Sequence, residues 1–464
     1  MRQQAVEARD VDRARTSIAV RPRSRRSIRH RKEDRPLRSD VTAAPHTFTC
    51  SGRRTSVSVT MTNEEIEAWA KDPRRADTLP FGLYEPRHRK AITGAALVVR
   101  GVLYFNGGYT ADVRDALIKC FEQYDAAMRT YYQLLEEAAG QKPSKKGPLR
   151  WFYAEGMQPM PYDQAPGFAR LAKSVSVDKA FTCAMTSAED KEATGFFEYT
   201  VFCQSDWKAA LRIGLDVLDF TVPRAFLVQQ PGIFEAMFNA FAEALPTVHG
   251  HAGLAVNLPP MGREPNEAGE YFYSRRFGPG IDVGNPARLN IRALENQIKT
   301  VDWLTALSGP LVQAVGGATS LALPPDWFVR QPLGADGSVI QAGVAPESGV
   351  SAGPGLPPNA PAAYVVLNAA LRPIVAQTLD TLQSGTINST APLLNSAVAS
   401  DHWLQRFNVP DDRLNDYWLE VHKTAKVTDV KAVIAQNLHR LRKTMGLPDP
   451  APSNNMGYDG APGA

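Results

Sequence analysis

The pentapeptide Gly349-Val350-Ser351-Ala352-Gly353 has the G-x-S-x-G form, in which a strand hands directly to a helix and presents a strained serine as a nucleophile. Here it sits among Pro346, Pro354, Pro357, Pro358 and Pro361, so no helix can start after it and the segment reads as loop. His249-Gly250-His251 puts two imidazoles on one strand face, about 7 Å apart, a spacing usable for metal chelation. A third ligand would have to come from elsewhere. Asp282 and Glu270 lie downstream, but nothing in the sequence brings them near. Asn257 shares the histidine face and the opposite face is apolar, so a polar sheet face accounts for the pair. The run Gly278-Pro279-Gly280-Ile281-Asp282-Val283-Gly284 looks phosphate-cradling, but it lacks G-x-x-x-x-G-K-[ST] and reads as a turn.

The cysteines Cys50, Cys120, Cys183 and Cys203 include no C-x-x-C, which gives neither a disulfide framework nor a zinc ribbon. Cys183 and Cys203 fall in apolar strands and are expected to be buried and inert. Asn388-Ser389-Thr390 is a glycosylation sequon, without meaning in a cytoplasmic chain. No H-E-x-x-H, paired-carboxylate motif or redox pair is present. The sequence offers no convincing active site, and neither cofactor nor metal is expected.

The elements around these residues alternate strand and helix. Ala95–Phe105 is a near-continuous apolar run of the kind buried on both faces. Asn106-Gly107-Gly108 breaks it, and Thr110 can cap a helix. Val113, Leu117, Cys120, Tyr124, Met128, Tyr131 and Leu135 then mark one long amphipathic helix ending at Gly140. Strands are expected over Leu149–Ala154, Ala180–Thr186, Gly195–Cys203, Arg212–Val222 and Lys299–Ala306. In Gly195–Cys203, Phe197, Tyr199, Val201 and Cys203 take one face; Glu198 and Thr200 share the other with Phe196 and Phe202. Phe234, Phe238, Phe241 and Leu245 mark a helix stopped by Pro246, and Val248, Ala252, Leu254 and Val256 the inward face of a strand. Asn266–Phe277 looks helical, Pro310–Val315 is a short helix, and Asp336-Gly337 is the turn of a hairpin joining Trp327–Leu333 to Val339–Val344. Ala345–Pro361 reads as loop, Ala363–Leu371 as a further apolar run, and Leu371–Leu382 as helix. The class is α/β or α+β: one large mixed β-sheet flanked by helices, with long Pro/Gly-rich loops.

Charge divides the chain unevenly. Residues 1–60 hold 15 Lys+Arg against 6 Asp+Glu, which leaves 37 basic and 42 acidic residues for 61–464. The first 60 residues lack helical or strand periodicity and are expected to be disordered, or to be upstream sequence read from too early a start. Thr62-Asn63-Glu64-Glu65 forms a capping box directly after Met61. No run approaches the ~18–20 apolar residues that cross a bilayer, and no secretory signal is visible, so a cytoplasmic location is expected. Residues 411–446 read as a helical C-terminal extension and 447–464 as a disordered tail.

The order of elements resembles a bacterial type VI secretion immunity family associated with effectors bearing VRR-NUC nuclease domains. The likeness rests on ALVVRGVLYFNGG at 96–108, CFEQYD at 120–125, LRWFYAEG at 149–156, HAGLAVNLP at 251–259, VDWLTALSGPLVQAVGG at 301–317 and GSVIQAGVAPESG at 337–349. It covers roughly residues 75–410, within a domain of 61–410, and consists of packing and turn elements. The resemblance implies a cytoplasmic antidote that binds a cognate VRR-NUC-type nuclease toxin and blocks its site. It implies no chemistry, no cofactor, no membrane and no direct contact with nucleic acid, and it leaves the oligomeric state open. An acidic complement to a basic DNA-gripping surface would raise on-rate and specificity. The expected contact surface is the segment bearing Glu267, Glu270, Tyr271 and Tyr273, with the loop around Glu347 as second choice. Two rival readings are a hydrolase with a dispersed active site and a nucleic-acid-associated protein that uses the arginine-rich arm, Arg21 to Lys32.

Overall fold

The computed structural model describes residues 63–72, 75–82, 91–142, 147–317, 321–353, 356–384 and 394–444. The basic segment 1–60, Thr62 of the capping box, Cys50, the Asn388 sequon and the tail 447–464 lie outside the described residues.

Strands β1 (Thr78–Pro80), β2 (Thr93–Phe105), β3 (Trp151–Ala154), β4 (Met160–Pro161), β5 (Phe181–Thr186), β6 (Glu198–Cys203), β7 (Asp216–Pro223), β8 (Thr247–Asn257), β9 (Leu304–Leu307), β10 (Phe328–Leu333) and β11 (Gly337–Ala342) form one sheet. Its order is β10-β11-β9-β8-β2-β7-β6-β5-β3-β4, and β1 pairs with the start of β2. Every ladder between these strands is antiparallel, so the fold is α+β.

The apolar run that opens the body becomes the centre of this sheet. All thirteen residues of β2 are buried, with β7 on one side and β8 on the other. Alternation sends Leu97, Val99, Leu103 and Phe105 into the main core, and Arg100, Val102 and Tyr104 to the opposite face. Gly101 keeps the core face open for the Phe220 ring, which would collide with any Cβ there.

The helices are α1 (Asn63–Lys71), α2 (Ala111–Ala138), α3 (Phe168–Ser174), α4 (Asp206–Ala210), α5 (Arg224–Gln229), α6 (Ile233–Ala244), α7 (Glu267–Phe277), α8 (Leu289–Arg292), α9 (Gly309–Ala314), α10 (Ala362–Leu371), α11 (Ala397–Leu404), α12 (Asp411–Lys423) and α13 (Val427–Thr444). Thr110 caps α2, its Oγ1 accepting from the Val113 amide at 3.4 Å. The stripe from Val113 to Tyr131 packs on the sheet, and the Tyr124 hydroxyl donates to the Thr221 carbonyl at 2.7 Å. Residues of α2, α3, α6 and α10 share the main core; Val283, Ile291, Leu382, Trp403 and Leu404 cover the face of Val102 and Tyr104. Among the described residues, no helix is long and apolar enough to cross a membrane.

Three expectations shift in detail. Arg212–Val222 becomes strand only from Asp216, because Arg212 and Gly214 both take positive φ and turn the chain. Lys299–Ala306 becomes strand only from Leu304; the residues before it carry Lys299 and Asp302 into the interior. Leu371–Leu382 is not a helix. The apolar run before it is the helix, and Pro373, which has no amide hydrogen to donate, limits its continuation to a short 3-10 turn at Arg372–Ile374. The helical extension after residue 410 is docked on the body: α12 packs on α10, Val421 and Val427 are buried, and Lys426 pairs with Asp326 at 2.7 Å.

Candidate partner-binding site

The polar sheet face expected from His249, His251 and Asn257 exists, but it is sealed. Asp282 lies on the segment that crosses this face and is held to β8 by backbone bonds at Leu254 and Val256. Its carboxylate accepts from Arg100 Nη2 at 2.6 Å, Lys299 Nζ at 2.6 Å and His251 Nε2 at 3.2 Å. These four side chains are all no more than 3% exposed. The second imidazole, His249, donates to the Leu294 carbonyl at 2.8 Å and packs on the Tyr104 ring. Thus Asp282, the downstream acid that no sequence spacing tied to the histidines, does meet His251. It arrives with two cations that use both of its oxygens, and a metal would have to displace them.

Burial and pairing set the protonation of this layer. Burial alone would raise Asp282, but Lys299 and Arg100 hold it well below the usual carboxylate range. Burial lowers Lys299 against the pull of Asp282; it also lowers His251, and takes His249 down to about 3. Two acids on the margin go the other way. Burial, with Asp219 nearby, pushes Glu198 up to about 7; burial, with Asp282 nearby, pushes Asp302 up to about 8. The layer clamps the 282–303 segment onto the sheet.

The acidic helix α7 is similarly turned inward. Glu267 accepts from the Ser384 amide at 2.9 Å and its hydroxyl at 3.0 Å. Glu270 accepts from the Gly284 amide at 3.1 Å and Gln383 Nε2 at 2.9 Å, with Arg263 at 3.6 Å from its other oxygen. Glu267, Glu270 and Tyr273 are buried, which corrects the expectation that they present a contact surface. The two carboxylates serve the backbone amides of Gly284 and Ser384, and Glu270 also takes the Gln383 side-chain amide. Tyr271 remains half-buried, with Arg275 over its ring.

The two expected contact segments meet each other. Gly278, at φ +126°, lies so close to the Ser348 carbonyl that no side chain fits, and the Gly280 amide donates to that carbonyl at 2.7 Å. Beyond it Val350 bridges Asn359, and Ser351 is exposed in irregular backbone, so the G-x-S-x-G stretch is a loop. Glu347 is half-buried; its amide donates to the Tyr364 hydroxyl at 3.0 Å, and burial raises its carboxyl.

Sequence reasoning missed a group of exposed apolar residues at the connection between β6 and β7. Trp207 is 52% and Leu211 64% exposed on and just after α4, with Ile213 and Val177 exposed beside them. Asp206, Lys208 and Arg212 around them disguise the stretch as an ordinary solvated turn.

A family profile described as type VI immunity for VRR-NUC matches residues 116–407. The chain belongs to this family. Among solved structures it is similar to the type VI secretion system (T6SS) protein PA0821 of Pseudomonas aeruginosa, with 27% identity and a TM-score of 0.67, over 78% of this chain and 96% of that one. No curated protein matches the chain. The type VI immunity profile begins inside α2 and ends after α11, so the central strand β2 and the docked helices α12 and α13 lie outside its span.

Proposed function

We propose that this type VI immunity protein acts in the cytoplasm as a stoichiometric inhibitor, binding a VRR-NUC nuclease effector and covering the surface with which it grips DNA. One contrast carries the reading. The side chains suited to acid–base chemistry, His249, His251, Asp282 and Lys299, are sealed and paired inside, whereas the surface exposes Trp207 within an apolar patch. An exposed tryptophan with other exposed apolar groups close by is the composition of a binding hot spot. Tight inhibition calls for about 1,200–2,000 Å² of buried surface, which a patch of this kind can anchor. Blocking requires contact and no turnover.

Co-expression with the neighbouring effector should rescue growth, and the two proteins should copurify at a fixed ratio. Trp207→Ala should weaken that complex at least tenfold, and Ser351→Ala should leave protection unchanged. Rescue without a detectable complex, or protection lost in the serine variant, would turn the assignment toward enzymatic neutralisation.

A further inference from the structure

A groove of about 490 Å³ runs between α12 and the 343–360 loop. One wall belongs to the type VI immunity segment and the other to the helix after it. Its apolar lining includes Val350, which is 52% exposed, with Ala363 on α10 and Tyr417 on α12. Four further charges line it as two closed pairs: Arg413 with Asp416 at 3.0 Å, and Lys423 with Glu420 at 2.6 Å. Glu347 is the charge left over. Among the described residues no cation pairs with its carboxylate, and burial is what raises its proton affinity.

A half-buried carboxylate without a counter-charge costs stability, a cost that Asp282 avoids through its two cations. Placed in the wall of an open apolar groove, it is complementary to a long cationic side chain. Such a side chain lays its methylenes on apolar surface and delivers its charge at the end. We propose that this groove receives a lysine or arginine from the DNA-gripping surface of the nuclease effector, with the side-chain stem against Val350 and Tyr417 and the cation on Glu347. A nuclease is a fitting source, because the surface that neutralises phosphates is built of such residues. The proposal rests on the inhibitor reading above and adds where on this chain the effector's cation goes. It also gives α12, which lies outside the family profile, a part in choosing the partner.

The test is titration of the full-length chain with the purified VRR-NUC effector encoded beside it, read as Kd and as inhibition of DNA cleavage. Glu347→Gln should weaken binding about tenfold and Glu347→Lys by a hundredfold or more, with unchanged melting temperatures. Ala363→Phe, which narrows the groove from α10, should weaken binding with Glu347 intact. Leu419→Ala, on an exposed part of α12 away from the groove lining, should bind like the parent. If the parent chain binds and inhibits while Glu347→Lys and Ala363→Phe stay within twofold of it, the groove is not the contact and the inhibitor reading stands. If the parent itself fails to bind, the inhibitor reading falls first. A free chain that is dimeric by light scattering, and that Glu347→Lys makes monomeric, would assign the groove to a second copy and overturn the proposal.

Discussion

Asp282 and Glu347 belong to two loops clasped together at Gly280, yet the fold treats their charges in opposite ways. Asp282 is 2% exposed and holds Arg100, Lys299 and His251 on its two oxygens. Glu347, partly open to a groove, has an apolar wall and, among the described residues, no cation. The first arrangement recovers the cost of burying a charge by closing it on partners from distant segments. The second leaves that cost unrecovered until something binds. Saturated charge builds the body; unsaturated charge faces a partner.

The comparison breaks most readily at Asp282. Asp282→Ala would leave Arg100 and Lys299 buried without their carboxylate, and about 3–5 kcal/mol of stability should be lost by urea denaturation. A loss below about 1 kcal/mol would mean that the layer does not hold the 282–303 segment down. Gly280→Ala should come next, costing about 1–3 kcal/mol, because a Cβ there would drive into the Glu347 carbonyl. That variant should also weaken effector binding, since it shifts the loop that carries Glu347.

The margin of the charged layer predicts a pH dependence of defined sign. Glu198 and Asp302 have folded values of about 7 and about 8, above those of the same groups in an unfolded chain. The folded state therefore binds more protons than the unfolded state through this window. Stability from these two groups is complete below the ordinary carboxylate range and is lost as pH rises through about 7 and 8. The slope is at most about 1.4 kcal/mol per pH unit for each group. Denaturation midpoints should fall between mildly acidic and mildly alkaline pH, and Glu198→Gln combined with Asp302→Asn should flatten the decline. The smallest stability effect should be at Glu347. Its Gln variant should unfold within about 0.5 kcal/mol of the parent, since no folded partner is lost. A larger loss would place that carboxylate among the structural charges and erase the contrast.

Much of the framework is legible in the order of residues. Thr110 caps α2 where that order places a cap, and the Asp336-Gly337 turn closes β10 on β11. Phe197, Tyr199, Val201 and Cys203 line one face of their strand region in the core. The candidate site is less legible. The acidic residues of α7 look like surface because acids usually are, and only the arrival of Ser384, Gln383 and the Gly284 amide makes Glu267 and Glu270 interior. Trp207 looks like one more aromatic, and nothing local says that half of it stays open to solvent.

What the sequence determined by itself is local: where strands and helices run, where caps and turns fall, and that the histidines share a polar sheet face. These depend on periodicities of 2 and 3.6 residues and on short-range backbone hydrogen bonding, which neighbouring residues alone can set. The tertiary structure decided which charges are closed and which stay open. Arg100 and Asp282 are 182 residues apart in sequence, and they meet because the segment of Asp282 bridges β8, the strand paired with β2. A buried charge is stabilised by Coulombic and hydrogen-bond partners within a few ångströms, and those partners come from wherever the chain folds back.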